Sequence, residues 1–79
     1  MKMTYDPRCN VAYIYLHEKT AQVETVPVSD ELNVDIAPDG TIYGIELLNA
    51  NEQLAREHRG MLIVVNEASG ESAEVKLPV

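Results

Sequence analysis

The stretch Leu32–Leu48, LNVDIAPDGTIYGIELL, decides the fold. It holds two runs of strand composition separated by Pro38, Asp39 and Gly40, the densest turn signal in the chain. Glycine takes positive φ without a steric penalty and aspartate tolerates it, so Asp39 and Gly40 suit a tight turn between right-twisted strands. If Pro38 and Thr41 close a two-residue loop, Ile36 faces Tyr43, Val34 faces Ile45 and Leu32 faces Leu47. One face of the hairpin is then wholly apolar, and the other carries Asn33, Asp35, Gly44 and Glu46. A three-residue loop with a bulge at Gly40 would instead set Leu32 opposite Glu46 and Asp35 beside Tyr43. A one-residue slip moves every side chain to the other face, so burial selects the register, and it favours the first pairing. Pro38 costs that ladder one donor.

Working outward toward the N-terminus, Ser29–Glu31 is a turn that delivers the chain to Leu32. Val23–Val28 has strand composition, but Pro27 cannot donate to a ladder, which places this strand at an edge or a bend. His17–Gln22 is short and polar and serves as a connection. Val11–Leu16, VAYIYL, is rich in β-branched and aromatic residues and apolar on both faces, as in a central strand or one covered by another chain. Lys2–Tyr5 is a short first strand, and Asp6, Pro7, Arg8, Cys9 and Asn10 turn the chain after it.

Toward the C-terminus, the spacing predicts one helix over Ala50–Arg59. Asn49 stands as its N-cap, Glu52 completes a capping box, and Gly60 ends it in a left-handed conformation. Its apolar stripe is thin (Ala50, Leu54, His58), so it needs the sheet beside it. Met61–Val65, MLIVV, reads as a buried strand. Ser72–Leu77 alternates, with Ala73, Val75 and Leu77 inward, and the two can form a second hairpin. The chain is therefore expected to be one α+β domain over 1–79, mainly β: a small curled antiparallel sheet of about five to seven short strands with one short helix near 50–59.

At 79 residues such a domain has a marginal core unless something supports it. The single cysteine, Cys9, excludes an internal disulfide, and no cysteine–histidine cluster offers a structural zinc site. Phe and Trp are absent, so Val, Ile, Leu and four tyrosines must form the interior. Self-association is the remaining support, and a homodimer is the commonest closed assembly. The net charge is −7 and uneven: three basic residues meet four acidic ones up to Asp30, and three meet nine beyond it. Without clustered Lys and Arg there is no counterion-releasing surface for nucleic acid, and an anionic membrane is disfavoured for the same reason. A basic protein partner fits this field. The N-terminal residues lack the apolar run of a leader, and Met61–Val65 is too short to span a bilayer, so a cytoplasmic setting is expected.

No motif names a substrate, reaction or ligand. Asp35 and Glu46 share one face of the hairpin, where two carboxylates can hold a divalent cation, which makes them the only metal candidates; strand alternation in an acidic protein places carboxylates outward in any case. His17 and His58 are not spaced as ligands, and Cys9 beside Arg8 has no partner base. No phosphate loop, dinucleotide fingerprint or nucleophile elbow is present, so neither cofactor nor catalytic residue is assigned and no enzyme activity is expected. Tyr13 and Tyr15 lack the basic neighbours of a base-stacking platform.

Tyr5-Asp6-Pro7 followed by Tyr13-Ile14, then Asp39-Gly40 followed by Gly44-Ile45-Glu46-Leu47-Leu48 and Ala50, resembles the family called domain of unknown function 2283. The resemblance covers about residues 2–50, with the helix and strand pair of 50–79 beyond it. The family pattern has an acidic residue where Asn10 stands and an Ala-Leu pair where Val11 and Ala12 stand. The resemblance implies a compact, mainly β unit without an established activity. The occurrence of some members beside small toxin-like proteins implies an antitoxin role as one possibility.

What remains is more apolar surface than one small sheet can bury. Tyr13, Tyr15, Val26, Val28, Leu62 and Val64 are the interface candidates, by sheet packing between copies or strand addition. The expected function is a non-catalytic, self-associating interaction module. An antitoxin-like protein neutralising a basic toxin is the alternative, and a metal-dependent enzyme using Asp35, Glu46 and a histidine is a remote one.

Overall fold

The computed structural model describes residues 1–18 and 22–79. In it the Leu32–Leu48 hairpin forms the middle of a five-stranded antiparallel sheet. In chain order the strands are β1 (Lys2–Asp6), β2 (Val11–Tyr15), β3 (Glu24–Ser29), β4 (Leu32–Ile36) and β5 (Ile42–Leu48), and their spatial order is β1-β2-β5-β4-β3. A short helix α1 (Ala50–Ala55) and a 3-10 turn (His58–Gly60) lead into a separate two-stranded sheet of β6 (Met61–Val65) and β7 (Ser72–Lys76). The fold is thus the expected mainly-β one, with its strands divided between two sheets. The connection expected over His17–Gln22 falls partly on residues 19–21, which lie outside the described residues.

The central register combines both hairpin geometries. Leu32 pairs with Leu47 and Val34 with Ile45, as burial of the apolar face demands. At the tip, however, Ile36 pairs with Ile42 rather than with Tyr43. The loop is the three-residue Pro38–Gly40 form: Ala37 N–H donates to Thr41 O at 2.8 Å and Gly40 N–H to Ala37 O at 2.9 Å. Gly40 sits at φ +92°, and Asp39 Oδ1 accepts from Thr41 N–H at 2.9 Å. That amide holds the Asp39 carboxyl below its ordinary range. This loop alone would shift β4 and β5 by one residue. A bulge between Asp35 and Ile36 on one strand and Ile42 and Gly44 on the other, with Tyr43 as the extra residue, shifts them back. Tyr43 is buried, and its carbonyl accepts from Leu16 and His17 N–H at 2.9 and 3.3 Å, fastening the end of β2.

β3 is an edge strand, as Pro27 requires, with a second irregularity between Pro27 and Ser29 that leaves Val28 unpaired. The β1–β2 turn is closed by Asp6, whose carboxylate accepts from Arg8 N–H at 2.9 Å and pairs with the Arg8 guanidinium at 3.2 Å. Those Arg8 contacts lower the Asp6 pKa.

The helix differs from expectation. It ends at Ala55 instead of Arg59, because its stripe supplies little to bury: Glu57 is extended, and His58, Arg59 and Gly60 all have positive φ. Asn49 is itself left-handed (φ 50°) and makes no side-chain cap, so the capping box does not form. The cap comes instead from the β1–β2 turn. Asn10 Oδ1 accepts from Asn51 N–H at 2.9 Å, Asn10 O accepts from Ala50 N–H at 3.0 Å, and Asn10 Nδ2 donates to Asn51 Oδ1 at 2.7 Å. Gln53 Nε2 adds bonds to Glu31 O and Leu48 O, which tie α1 to the β3–β4 turn and the end of β5.

The second hairpin is the larger correction. MLIVV is a strand, but an exposed one beyond Met61: Leu62, Ile63, Val64 and Val65 all face solvent, as do Ala73 and Val75, while Met61 and Leu77 are half-buried. The reason is that β6 and β7 pair only with each other, and no other element among the described residues forms a layer over them. Among the described residues the buried hydrophobics are Ala12, Ala37, Tyr43 and Ala50, and no large side chain is fully buried. No helix among them is long and apolar enough to cross a membrane.

Candidate functional site

The pairings place side chains in rows across the five strands. On one face runs Met3–Ile14–Ile45–Val34–Val26, one apolar residue from every strand. The first four are half-buried and Val26 is exposed. The next row, Tyr5–Ala12–Leu47–Leu32, continues this surface toward α1, where the Tyr5 hydroxyl donates to Asn10 Oδ1 at 3.4 Å.

The opposite face is polar, with rows Thr4–Tyr13–Glu46–Asn33–Pro27 and Lys2–Tyr15–Gly44–Asp35–Thr25. Asp35 is the one buried charged residue among those described, at 8 % exposure. Its burial is tolerated because both carboxylate oxygens are engaged: the Tyr13 hydroxyl donates to Oδ2, and Thr25 Oγ1 donates to Oδ1 at 2.6 Å. Tyr13 lies on β2, two strands from Asp35, and reaches it by crossing β5 at Gly44. A Cβ at Gly44 would stand 2.5 Å from the Tyr13 Oη and 2.6 Å from Cζ, inside van der Waals contact. Desolvation, then the Asp35 bond and charge, push the Tyr13 pKa upward, so the phenol is held protonated as the donor to Asp35. Tyr15 packs on Tyr13 with ring centroids 4.4 Å apart, and Lys2 Nζ sits 4.7 Å over the Tyr15 ring.

The two metal candidates do share a face, but they are turned to different partners. Asp35 is inward, bonded to Tyr13 and Thr25, and Glu46 accepts from Asn33 Nδ2 at 2.9 Å. Among the described residues no three His, Cys, Asp or Glu side chains converge on a metal position. His17 is exposed with its ring edge-on to Tyr43, His58 is exposed in the turn before β6, and Cys9 is an exposed free thiol. The arrangement is chemically a hydrogen-bonded carboxylate, a buried polar lock between three strands. Thr25 and Asn10 have no counterpart in the sequence-level candidates. Gly44 inside a strand opposite Asp35 is the one local signal for the lock, since a strand glycine marks close approach by a neighbour.

The interface candidates separate into two groups. Tyr13 and Tyr15 belong to the polar face and pack on each other. Val26 and Val28 lie exposed at the β3 edge, and Leu62 and Val64 lie exposed on the β6–β7 hairpin. The site best supported by geometry is therefore the apolar side of the sheet together with this hairpin. No curated protein and no solved structure gives a significant match to the chain. The family model described as protein of unknown function (DUF2283) matches residues 2–51, which run from the first residue of β1 to the start of α1. With that match over more than half its length, carried by the five-stranded sheet and the turns that shape it, the chain belongs to the DUF2283 family.

Proposed function

We propose that the protein is a non-catalytic interaction module that works as a homodimer and completes its core at the subunit interface. The observation that carries this is surface area. The chain exposes 5945 Å², whereas a folded monomer of its mass exposes about 4,800 Å². The excess of roughly 1,100 Å² exceeds the ~800 Å² that each partner contributes to a standard interface. The radius of gyration agrees, at 14.1 Å against about 12 Å for a compact chain of this length. The support expected of a disulfide or metal in so small a domain falls to the second subunit. A cytoplasmic setting suits the exposed thiol of Cys9. Sedimentation equilibrium at micromolar concentration is expected to give twice the 8.8 kDa chain mass. A stable monomer under those conditions would overturn the proposal.

The acidic half of the chain supports a second reading, an antitoxin-like partner for a basic protein. Glu67, Glu71 and Glu74 are exposed on the second hairpin, and the acidic excess lies beyond Asp30. Co-purification with the product of an adjacent reading frame, lost at high salt, is the expected result. A neighbour that is neither basic nor retained would remove this reading.

A further inference from the structure

Among the described residues two apolar surfaces remain open to solvent, the first half-buried along Met3–Val34 and exposed at Val26, the second exposed throughout. One is the Met3–Ile14–Ile45–Val34–Val26 row. The other is a face of the second hairpin, where Leu62 pairs with Val75 and Val64 with Ala73. Leu62, Val64 and Val75 are 42, 54 and 51 % exposed. The hairpin is held to the rest of the chain at its base, where Leu77 N–H donates to Gly60 O at 3.0 Å and Lys76 Nζ donates to Arg59 O. A two-stranded hairpin is marginal alone in water and needs a surface to lie on.

We infer that the β6–β7 hairpin is the dimerisation arm, and that its Leu62–Val64–Val75 face lies across the five-strand apolar row of a second copy, reciprocally. This rests on the self-association proposed above. Sheet-on-sheet contact would leave both hairpins bare, and hairpin-on-hairpin contact would leave both rows bare. The reciprocal arrangement covers both surfaces at once, and it satisfies two-fold symmetry, in which arm meets row and row meets arm. The dimensions match. Five residues of strand extend about 17 Å, and five strands at ~4.8 Å spacing set the ends of the row about 19 Å apart, so the arm lies near-perpendicular to the sheet strands. The face turned away from this contact carries Ser72, Glu74 and Lys76 of β7 beside Met61, Ile63 and Val65 of β6.

The test is complementation between two full-length variants, each altered at positions exposed in the single chain. Leu62→Glu with Val64→Glu spoils the arm, and Val26→Glu spoils the row. Each alone is expected to raise the dimer dissociation constant about tenfold or more. An equimolar mixture is expected to recover association, because the heterodimer keeps one intact arm–row contact. Circular dichroism checks that each variant keeps the parent fold. A variant that dimerises like the parent, or a mixture that shows no recovery, overturns the inference while leaving self-association standing. A monomeric parent overturns self-association itself. A milder second measurement places Val64→Cys in one copy and either Met3→Cys or Val26→Cys in the other, on a Cys9→Ser background. One end of the row is expected to form the mixed disulfide faster than either self-pair, and no preference at either end counts against the arm.

Discussion

The Tyr13 ring lies across Gly44 so that its hydroxyl can donate to Asp35, two strands away. Three strands are joined by that single reach: β2 supplies the donor, β5 the gap and β4 the acceptor. The tip bulge is part of the same device, because it sets Gly44 opposite Asp35 while Ile36 stays paired with Ile42.

Gly44→Ala is therefore expected to destabilise the protein by about 1–3 kcal/mol, through overpacking of the Tyr13 ring and displacement of its hydroxyl from Asp35. Urea unfolding measures it. In a Tyr13→Leu background the same substitution should cost much less, since the ring it meets is gone. Equal costs in the two backgrounds would show that the glycine is needed for another reason.

Gly40→Ala should cost about 1 kcal/mol by a different route. A Cβ there meets nothing within 4 Å, so only the positive φ of +92° is penalised. Gly40→Asn should recover part of the loss, because asparagine tolerates that region better. Thermal denaturation of the pair distinguishes a conformational penalty from a steric one.

The raised Tyr13 pKa carries a pH dependence of defined sign. The folded state favours the protonated phenol, so the stabilisation is fully present below the ordinary tyrosine pKa of about 10. It is lost as pH rises from there toward the higher folded value. Unfolding free energy should thus fall above pH ~10, and fall less in Tyr13→Phe. Identical alkaline slopes for the two proteins would refute the assignment.

Asn10→Ala is expected to lose about 1–2 kcal/mol and much of the helical signal of α1, because it removes the acceptor for the Asn51 amide from a turn 41 residues away in sequence. Asn10→Asp keeps that acceptor and should retain most of the stability. Guanidinium unfolding with far-ultraviolet circular dichroism reads both quantities.

Much of the fold was legible because it rests on local chemistry. Alternation in β4 and β5, proline at the β3 edge and the Pro38–Gly40 turn each act within a few residues, and together they specify an antiparallel sheet. The length and cap of the helix are not legible locally, because its cap is Asn10, 41 residues from Asn51, and asparagine at position 49 looks equally suitable in sequence. The lock around Asp35 was half legible: Gly44 marked a close approach, but not which side chain makes it.

What the sequence determined by itself is the set of strands, their faces and the apolar register Leu32/Leu47 and Val34/Ile45, since a slip there exposes a whole face. The tertiary structure decided that two opposed one-residue shifts, the long loop and the Tyr43 bulge, cancel between Gly40 and Gly44. It also decided that MLIVV is bare. Hydrophobicity says that a strand must be covered, but not by what, and among the described residues no other layer reaches it.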